Sequence, residues 1–428
     1  MKKFIFVLSL FAITNLNAKE NLKFFINEAI NNNLQLNAER KNLEVAKQEK
    51  NISRSEFLPS VTISGSQTSS TSSNQTDQNG SNLADSSSDT ESKKISIEQK
   101  IFTGFKGVNT FKKSELETER AKLKLLKVEQ ETILDTAFAY FDLIYKSKSE
   151  KFNLLNVDLF ERQFEFDNAR LQKGQITLTD LAQSESSLAG ANASLIKAKT
   201  EFQSSKTNFE RVTRQNSPNA GDLKENIIIE LPESLETSLE LSKLKNLELL
   251  ISKLNLEIAK KNLKIEKARL SPSATLEFSK SEQKDFSSTI DEKDDEIVKA
   301  KISWPIIKGG ENISSIKKSN FNKQRAELVV KDLINKVITE TSNSWSKYKS
   351  SKSVLDATRT QLKAAEIANE GITLEYDTGS TRTTLEVIQS RSLLLDARIA
   401  YAKAQRDFTV SQFELANQIG FLSINSIN

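Results

Sequence analysis

The sequence contains neither cysteine nor histidine among its 428 residues. Without thiol and imidazole groups, the chain has no cysteine nucleophile, no histidine acid–base catalyst and no Cys/His zinc site. It also lacks a P-loop, a G-x-S-x-G motif and a G-x-G-x-x-G motif. The sequence therefore predicts a protein that is not an enzyme, with no catalytic, cofactor-binding or metal-binding residues.

The chain also has no strong excess of positive or negative charge. The chain has 61 Lys and Arg residues against 57 Asp and Glu residues, a formal net charge of +4. These charges are spread along the chain, whereas a nucleic-acid-binding surface needs clustered basic residues. We therefore expect no nucleic-acid partner.

The N-terminus carries the one conspicuous apolar run. Met1–Lys3 is basic, Phe4–Ile13 is apolar, and Leu16–Ala18 offers a small residue for cleavage. The run is too short to span a bilayer and is typical of a secretory signal peptide. We predict that residues 1–18 are removed on export. Because no cysteine follows, we expect no lipoprotein anchor.

Proline and glycine are scarce, with 5 and 12 residues, and their positions mark boundaries. Gly104 and Gly174 lie 70 positions apart, as do Gly309 and Gly379, and neither interval contains proline. Within both intervals apolar residues recur every three or four positions, the period of an amphipathic α-helix. The sequence therefore predicts two helices far longer than those of ordinary globular domains.

The same order of elements occurs twice. Each half reads as a helix, two strands, a long helix and a further helix, and such self-similarity indicates a duplicated structural unit. We predict a first repeat over residues 19–215, a linker over 216–234 and a second repeat over 235–428.

Alternating apolar and polar residues predict four strands. Their approximate bounds are 58–68, 93–103, 272–281 and 296–306, and polar loops, Gln67–Ser92 and Lys280–Asp295, join each pair. Strands of about this length can cross a bilayer, but the smallest membrane barrels have about eight strands. A spanning barrel would have to be shared between chains; the alternative is a small soluble β-subdomain.

Five stretches taken together carry a family resemblance. They are Arg54–Ser64, Gln99–Gly104, Ala137–Leu143, Lys173–Leu181 and Trp304–Gly310. In their order and spacing the chain resembles the outer-membrane efflux protein (TolC-like) family. The resemblance implies a mainly α fold with transmembrane β: a homotrimer whose twelve-stranded β-barrel, four strands per chain, is continued by a long α-helical barrel in the periplasm. Trp304 also suits the aromatic belt at a membrane interface.

The resemblance further implies an outer-membrane channel-tunnel. Such a channel is the passive exit duct of a tripartite efflux pump or a type I secretion system. It opens at its periplasmic end when a periplasmic adaptor and an inner-membrane transporter dock, and outer-membrane lipid surrounds the barrel. The transported substrate is not encoded in any motif. The alternatives are a structural trimeric coiled-coil envelope or surface protein without channel activity, and a secreted hydrolase that uses Ser or Asp.

The turns that follow the long helices carry the candidate site residues. Thr177–Asp180 and Thr383–Glu386 each match the capping box [ST]-x-x-[DE]. The resemblance implies a periplasmic gate in which Thr179 and Asp180 face Tyr376 and Arg382 of the neighbouring helix pair. The residues of this gate are Thr179, Asp180, Tyr376, Arg382, Glu386 and Gln389.

Two further expectations come with the resemblance. Glu386 would place a ring of three carboxylates at the narrow end of a trimer, a ring that favours cations. The tips of the helix pairs would dock the adaptor. These tip residues are Lys173, Gly174, Gln175, Ile176, Thr177, Asp377, Thr378, Gly379, Ser380 and Thr381.

The chain departs from the family pattern in three places. Lys100 stands where the first repeat usually has proline, and the spacing from Gly379 to Glu386 is one residue longer than that from Gly174 to Asp180. Glu386 and Gln389 occupy the usual aspartate positions of the second repeat. The longer spacing makes Arg382 the weaker assignment in the predicted gate, with Ser380 and Thr381 as alternatives.

Overall fold

The computed structural model describes residues 21–225, 227, 229–287, 290–378 and 382–427. The predicted signal peptide lies outside these residues. The elements of the first half are α1 (Leu22–Asn32), α2 (Leu34–Ser55), β1 (Ser60–Ser72), β2 (Ser86–Phe102), α3 (Lys106–Gln172) and α4 (Leu178–Thr213). Those of the second half are α5 (Leu235–Lys245), α6 (Leu247–Ala268), β3 (Ser273–Ser287), β4 (Ile290–Ser303), α7 (Glu311–Asp377) and α8 (Thr384–Gln418).

The internal duplication is confirmed element by element. Helices α1, α2, α3 and α4 have 11, 22, 67 and 36 residues, and α5, α6, α7 and α8 have 11, 22, 67 and 35. Two strands follow the second helix of each half. Two halves of one chain reach the same helix lengths because they carry the same spacing of breaking residues.

The end of α3 shows how a glycine stops one of the long helices. Gly174 has a φ of +69°, and its N–H donates to the carbonyl of Leu171 at 2.8 Å. The next N–H, of Gln175, reaches back to the carbonyl of Arg170 at 2.9 Å. This pattern satisfies the last carbonyls of the helix and needs a residue that tolerates the left-handed region. The predicted end of the long helix is therefore confirmed.

Asparagine breaks the first helix of each half. Asn33 is extended (φ −67°, ψ 120°), and its side chain accepts a hydrogen bond from the N–H of Leu36 at 3.0 Å, which caps α2. The run of asparagines at residues 31–33 predicts a break here, and the structure confirms it. In the second half the spacing of apolar residues predicts a single helix from about Leu235 to Arg269. That prediction is wrong, because Asn246 has non-helical backbone angles (φ −58°, ψ 120°) and separates α5 from α6.

The four strands form one antiparallel sheet in the order β1-β2-β3-β4. They are longer than predicted at the ends remote from the helices, so half of the first predicted polar loop and most of the second are strand. Only residues 73–85 separate β1 from β2, and residues 288–289, outside the described part, separate β3 from β4. Serine- and threonine-rich segments read as loop in isolation, but Thr68 pairs with Thr90 in the sheet. The helix-proximal end of β4 stops at Ser303, short of Pro305, which has no N–H to donate.

The two faces of the sheet differ in chemistry. Val61, Ile97, Phe278 and Val298 lie opposite one another across the four strands and therefore share one face. All four side chains are exposed in the chain. The neighbouring residues Thr62, Ser96 and Ser279 also pair across the strands, and their side chains lie on the opposite face. One face thus carries an exposed apolar band, and the other is lined mostly by hydroxyl and charged groups.

The chain divides into two compact units, and each draws residues from both halves. The first comprises residues 21–37, 127–246 and 336–427 of the described chain. Its core includes an aromatic cluster of Phe25, Tyr140 and Phe209, all fully buried, with the rings of Phe25 and Phe209 4.9 Å apart. No α-helix among the described residues combines the length and the apolar character needed to cross a membrane.

The second unit comprises residues 38–126 and 247–335 and contains the sheet. Its helices α2 and α3 make contact through small polar side chains. The hydroxyls of Ser53 and Ser114 lie 2.7 Å apart, and the hydroxyl of Thr118 reaches the carbonyl of Ala46 at 3.3 Å. Small residues allow two helices to pack closely, so this unit is not held by large apolar groups alone.

Candidate functional site

A buried carboxylate lies close to the end of α3. Asp167 has no exposed surface, although aspartates are rarely buried in full unless they have partners. Both of its oxygens accept hydrogen bonds from Gln163 at 3.0 Å, and the hydroxyl of Ser184 on α4 donates to it. The hydroxyl of Tyr376 on α7 also donates to it, at 2.8 Å. A buried charge persists only when donors surround it, and three side chains provide them here.

Tyr376 extends this network to α8. It is the penultimate residue of α7, it is 4% exposed, and its hydroxyl lies 2.9 Å from that of Thr384. The guanidinium of Arg170 stacks over its ring at 5.0 Å from the centroid. Burial raises the pKa of Tyr376, and the negative charge of Asp167 acts in the same direction. The phenol therefore remains a donor at physiological pH.

Arg391 of α8 makes a second contact with α3. Its guanidinium donates to the backbone carbonyl of Leu159 at 3.0 Å. Burial lowers the pKa of Arg391, whereas Asp377, Asp167 and Tyr376 act in the opposite direction. An arginine remains charged despite such a shift. Its positive charge therefore partly offsets the buried charge of Asp167.

These contacts define the hairpin-end network: Gln163, Asp167, Ser184, Tyr376, Thr384 and Arg391. It joins all four helices of the two pairs α3/α4 and α7/α8 next to the turns that connect them. Just before it on α3, Phe160 packs with Ile388 of α8 and Leu195 of α4 in an apolar cluster. The four helix ends are therefore held together by a buried polar network beside an apolar layer.

Both predicted capping boxes are present at the turns. The hydroxyl of Thr177 accepts from the N–H of Asp180 at 3.2 Å, and the carboxylate of Asp180 accepts from the N–H of Thr177 at 2.9 Å. Hydrogen bonds from the side chain and then the backbone of Thr177 lower the pKa of Asp180. Thr383 and Glu386 repeat this arrangement at the start of α8.

Arg382 braces the turn between α7 and α8. Its guanidinium donates to Glu375 at 2.6 Å and to Glu386 at 2.9 Å. The backbone N–H of Thr383 and then Arg382 lower the pKa of Glu386. Glu386 is thus a helix cap and one half of an ion pair within its own turn.

The structure gives several predicted gate residues partners other than those expected. Tyr376 bonds to Asp167, and no described hydrogen bond joins Asp180 to Tyr376 or Arg382, because Asp180 bonds to Thr177. Thr179 is exposed. Among the described residues of a single chain, neither Arg382 nor Tyr376 is therefore hydrogen-bonded to Asp180, and the gate between neighbouring helix pairs stays a prediction.

The remaining predicted residues lie at or near the surface. Gln389 is exposed and lines a groove of about 420 Å³ between α7 and α8, together with Ala364 and Leu393. The tip residues Lys173–Gln175, Thr177, Asp377 and Thr378 are exposed, and Ile176 is half-buried. Gly379, Ser380 and Thr381 lie outside the described residues.

Sequence reasoning missed Asp167, Gln163, Ser184, Thr384 and Arg391. A signal for two of them was available. Phe160, Gln163 and Asp167 are spaced three and four residues apart, so polar residues occupy positions on the buried stripe of α3. An aspartate at such a position predicts a buried partner, although it does not identify one.

A profile of the outer membrane efflux protein family matches residues 25–213 and 239–420. This match covers both repeats and most of the chain. The chain belongs to the outer membrane efflux protein family. Membership makes it an outer-membrane efflux channel rather than an enzyme, located in the bacterial outer membrane and extending into the periplasm.

Relatives and solved structures agree with this assignment. The chain is 24% identical over 410 residues to the outer membrane efflux protein BepC of Brucella suis, covering 94% of this chain and 85% of that protein. It is similar in fold to the outer membrane protein VceC of Vibrio cholerae (TM-score 0.78, 18% identity, 94% and 97% covered). It is likewise similar to the CmeC outer membrane channel of Campylobacter jejuni (TM-score 0.81, 16% identity, 94% and 86% covered).

Among the residues that the structure describes, no group of three or more acidic side chains is placed to hold a metal ion. The chemistry available at the hairpin-end network is hydrogen bonding and charge pairing between helices. Such an arrangement can hold helix ends together and release them.

Proposed function

We propose that this family member is the exit duct of a tripartite efflux pump, a homotrimer closed at its periplasmic end by the hairpin-end network. The observation that carries the proposal is the hydrogen bond from Tyr376 to Asp167, which ties α7 to α3 beside both turns. A periplasmic adaptor and an inner-membrane transporter would open the duct on docking. The family description favours efflux over protein secretion.

The sheet supports a trimeric barrel. In the described chain β1 and β4 pair on one side only, so each presents a free edge. Free edges cannot lie within a bilayer because their backbone groups would remain unsatisfied there. Three copies would join edge to edge into twelve strands, with the apolar face of the sheet toward lipid and the hydroxyl-rich face toward the lumen.

The energetics of the network suit a closed state that can be opened. Separating α7 from α3 would remove one donor from a fully buried carboxylate. Removing one partner from a buried charge is costly because the remaining charge is left uncompensated. Opening would therefore require the work of a docked partner or the entry of water to Asp167.

Planar-bilayer recording tests the channel and native mass spectrometry tests the trimer. We expect a trimeric mass in detergent and small single-channel conductances, because the narrow end is closed at rest. A folded monomer without conductance would contradict the proposal and favour a structural envelope protein.

Site-specific crosslinking tests the docking of the adaptor. The chain has no native cysteine, so an introduced one is unique. Lys173→Cys lies at an exposed tip, and Lys151→Cys is an exposed control within α3. We expect the tip variant alone to crosslink to the adaptor in cells. Equal crosslinking of both variants would contradict the proposal that the adaptor docks at the tips.

A further inference from the structure

The apolar face of the sheet changes to charged residues along the strands. At the ends near the helices this face carries Leu276, Phe278, Val298 and Ile302, all of them exposed. Toward the hairpin ends the same face carries Lys280, Lys284, Glu292 and Glu296 on adjacent strands. Both sets of residues lie on the same face of the sheet. The change from apolar to charged side chains therefore depends on the position along the strand, not on which face a side chain occupies.

The charged residues on this face have both signs, with carboxylates outnumbering lysines. Lys280 pairs with Glu296 at 3.3 Å, Lys284 with Glu292 at 3.5 Å, and Lys93 with Glu91 at 2.8 Å. The register of the strands places Glu91 opposite Lys284, so the pairs form a continuous patch. Glu282 and Asp294 lie on the same face between these pairs, because Lys93 pairs with Glu282 and Glu282 with Asp294. We name these eight residues the charged belt: Glu91, Lys93, Lys280, Glu282, Lys284, Glu292, Asp294 and Glu296.

The height of the belt matches one membrane thickness. A tilted transmembrane strand needs about 9–11 residues to cross the hydrocarbon core. Trp304 is 61% exposed beside the last residue of β4, where an aromatic side chain suits the membrane interface. Counting ten residues along β4 from Trp304 reaches Asp294, between Glu292 and Glu296 of the belt. The belt therefore lies at the opposite membrane boundary, on the side of the hairpins.

The ion pairs of the belt are exchangeable. The lysine side chains are 47–65% exposed, and surface ion pairs contribute little to stability. Their amines can therefore form charge-assisted hydrogen bonds with phosphate instead. The interspersed carboxylates would repel a purely anionic surface, but they suit a headgroup layer in which divalent cations bridge neighbouring phosphates.

We propose that the charged belt binds the phosphorylated glycolipid headgroups of the outer leaflet, with lysine amines on phosphate oxygens and carboxylates facing the bridging divalent cations. The proposal rests on the proposed barrel, because only there does this face meet lipid. The belt then forms three patches around the trimer, one on each chain, that fix its depth in the outer membrane.

Native mass spectrometry with bisphosphorylated lipid A as the probe tests the proposal. The belt variant carries Lys93→Gln, Lys280→Gln and Lys284→Gln. The matched control removes three lysines from the opposite face of the same sheet, with Lys94→Gln, Lys299→Gln and Lys301→Gln. We expect the belt variant to bind lipid A about 100-fold more weakly, since each lysine near a lipid surface contributes about fivefold. The control should bind as the unaltered protein does.

Two comparisons with the unaltered protein decide the matter if the belt variant does not assemble. Lipid A without phosphates should bind about 100-fold more weakly than the bisphosphorylated form, on the same reasoning. Chelation of magnesium should also weaken binding. Equal binding of both lipids, or equal loss in the belt and control variants, would overturn the proposal. The same mass spectra also give the oligomeric state. A protein that does not form the trimer is therefore distinguished from a trimer that does not bind lipid A.

Discussion

Replacing Tyr376 by phenylalanine isolates the hydroxyl that joins α7 to α3. The ring would keep its contacts with Phe166 and Arg170, while the 2.8 Å bond to Asp167 and the 2.9 Å contact with Thr384 would be lost. Gln163 and Ser184 would continue to donate to the carboxylate. The variant therefore weakens the proposed closure but leaves Asp167 with two of its three hydrogen-bond donors.

The size of the effect follows from the type of bond. A hydrogen bond to a charged group contributes about 1.5–3 kcal/mol, and each 1.4 kcal/mol corresponds to a factor of about ten. The closed-to-open ratio of each chain should therefore fall about 10- to 150-fold. Because a trimer would hold three copies of the bond, we expect larger and more frequent openings in single-channel recordings of Tyr376→Phe.

Tyr401→Phe is the matched control. It makes the same substitution on α8, where the hydroxyl of Tyr401 accepts from Gln405 at 3.2 Å away from the turns. Conductance in this variant should equal that of the unaltered protein. If Tyr376→Phe leaves conductance unchanged while the trimer melts at a lower temperature, the hydroxyl is a packing contact, and the reasoning about closure is refuted.

Three further predictions concern the helix ends and the pH response. Thr177→Ala should cost about 1 kcal/mol of local stability at the start of α4, since it removes an N-cap, and hydrogen exchange of the first-turn amides should accelerate; unchanged protection would contradict the cap. Gly104→Ala should lower the melting temperature more than Gly309→Ala. Both glycines have positive φ, but only at Gly104 would a Cβ lie 2.8 Å from the carbonyl oxygen of Ala268; equal effects would show that backbone strain alone matters. Because burial raises the pKa of Tyr376 above its ordinary value of 10.0, its contribution to the closed state is fully present below pH 10.0 and is lost as the pH rises through the raised pKa. Conductance should therefore rise only above pH 10.0, and this rise should be absent in Tyr376→Phe; a rise shared by both proteins would assign it to other groups.

Much of the fold could be predicted from local pattern. The period of 3.6 residues between paired glycines predicts α3 and α7, and the repeated spacing predicts equal lengths for them. The capping boxes at Thr177 and Thr383 were also predictable, because their partners lie three residues away on the same segment. Interactions of this kind are encoded in sequence separation alone.

The extent of the strands was not predictable in this way. Serine, threonine and alternating charges beyond Gln67 and Lys280 read as solvated loop when each segment is considered alone. They form strands because neighbouring strands supply hydrogen bonds and oppositely charged partners such as Lys284 and Glu292. Strand length is therefore a property of the sheet as a whole.

The partner of Tyr376 was decided by the tertiary structure. The sequence predicted Asp180 as the partner of Tyr376 across neighbouring helix pairs. Within one chain the hydroxyl of Tyr376 donates to Asp167, 209 positions away. Asp180 is occupied by its own cap, and only the packing of α3 against α7 brings Asp167 within reach. Sequence patterns determine which face of each helix is buried. Which buried side chains meet depends on the register between helices, and that register is set by the packing of all four helices together.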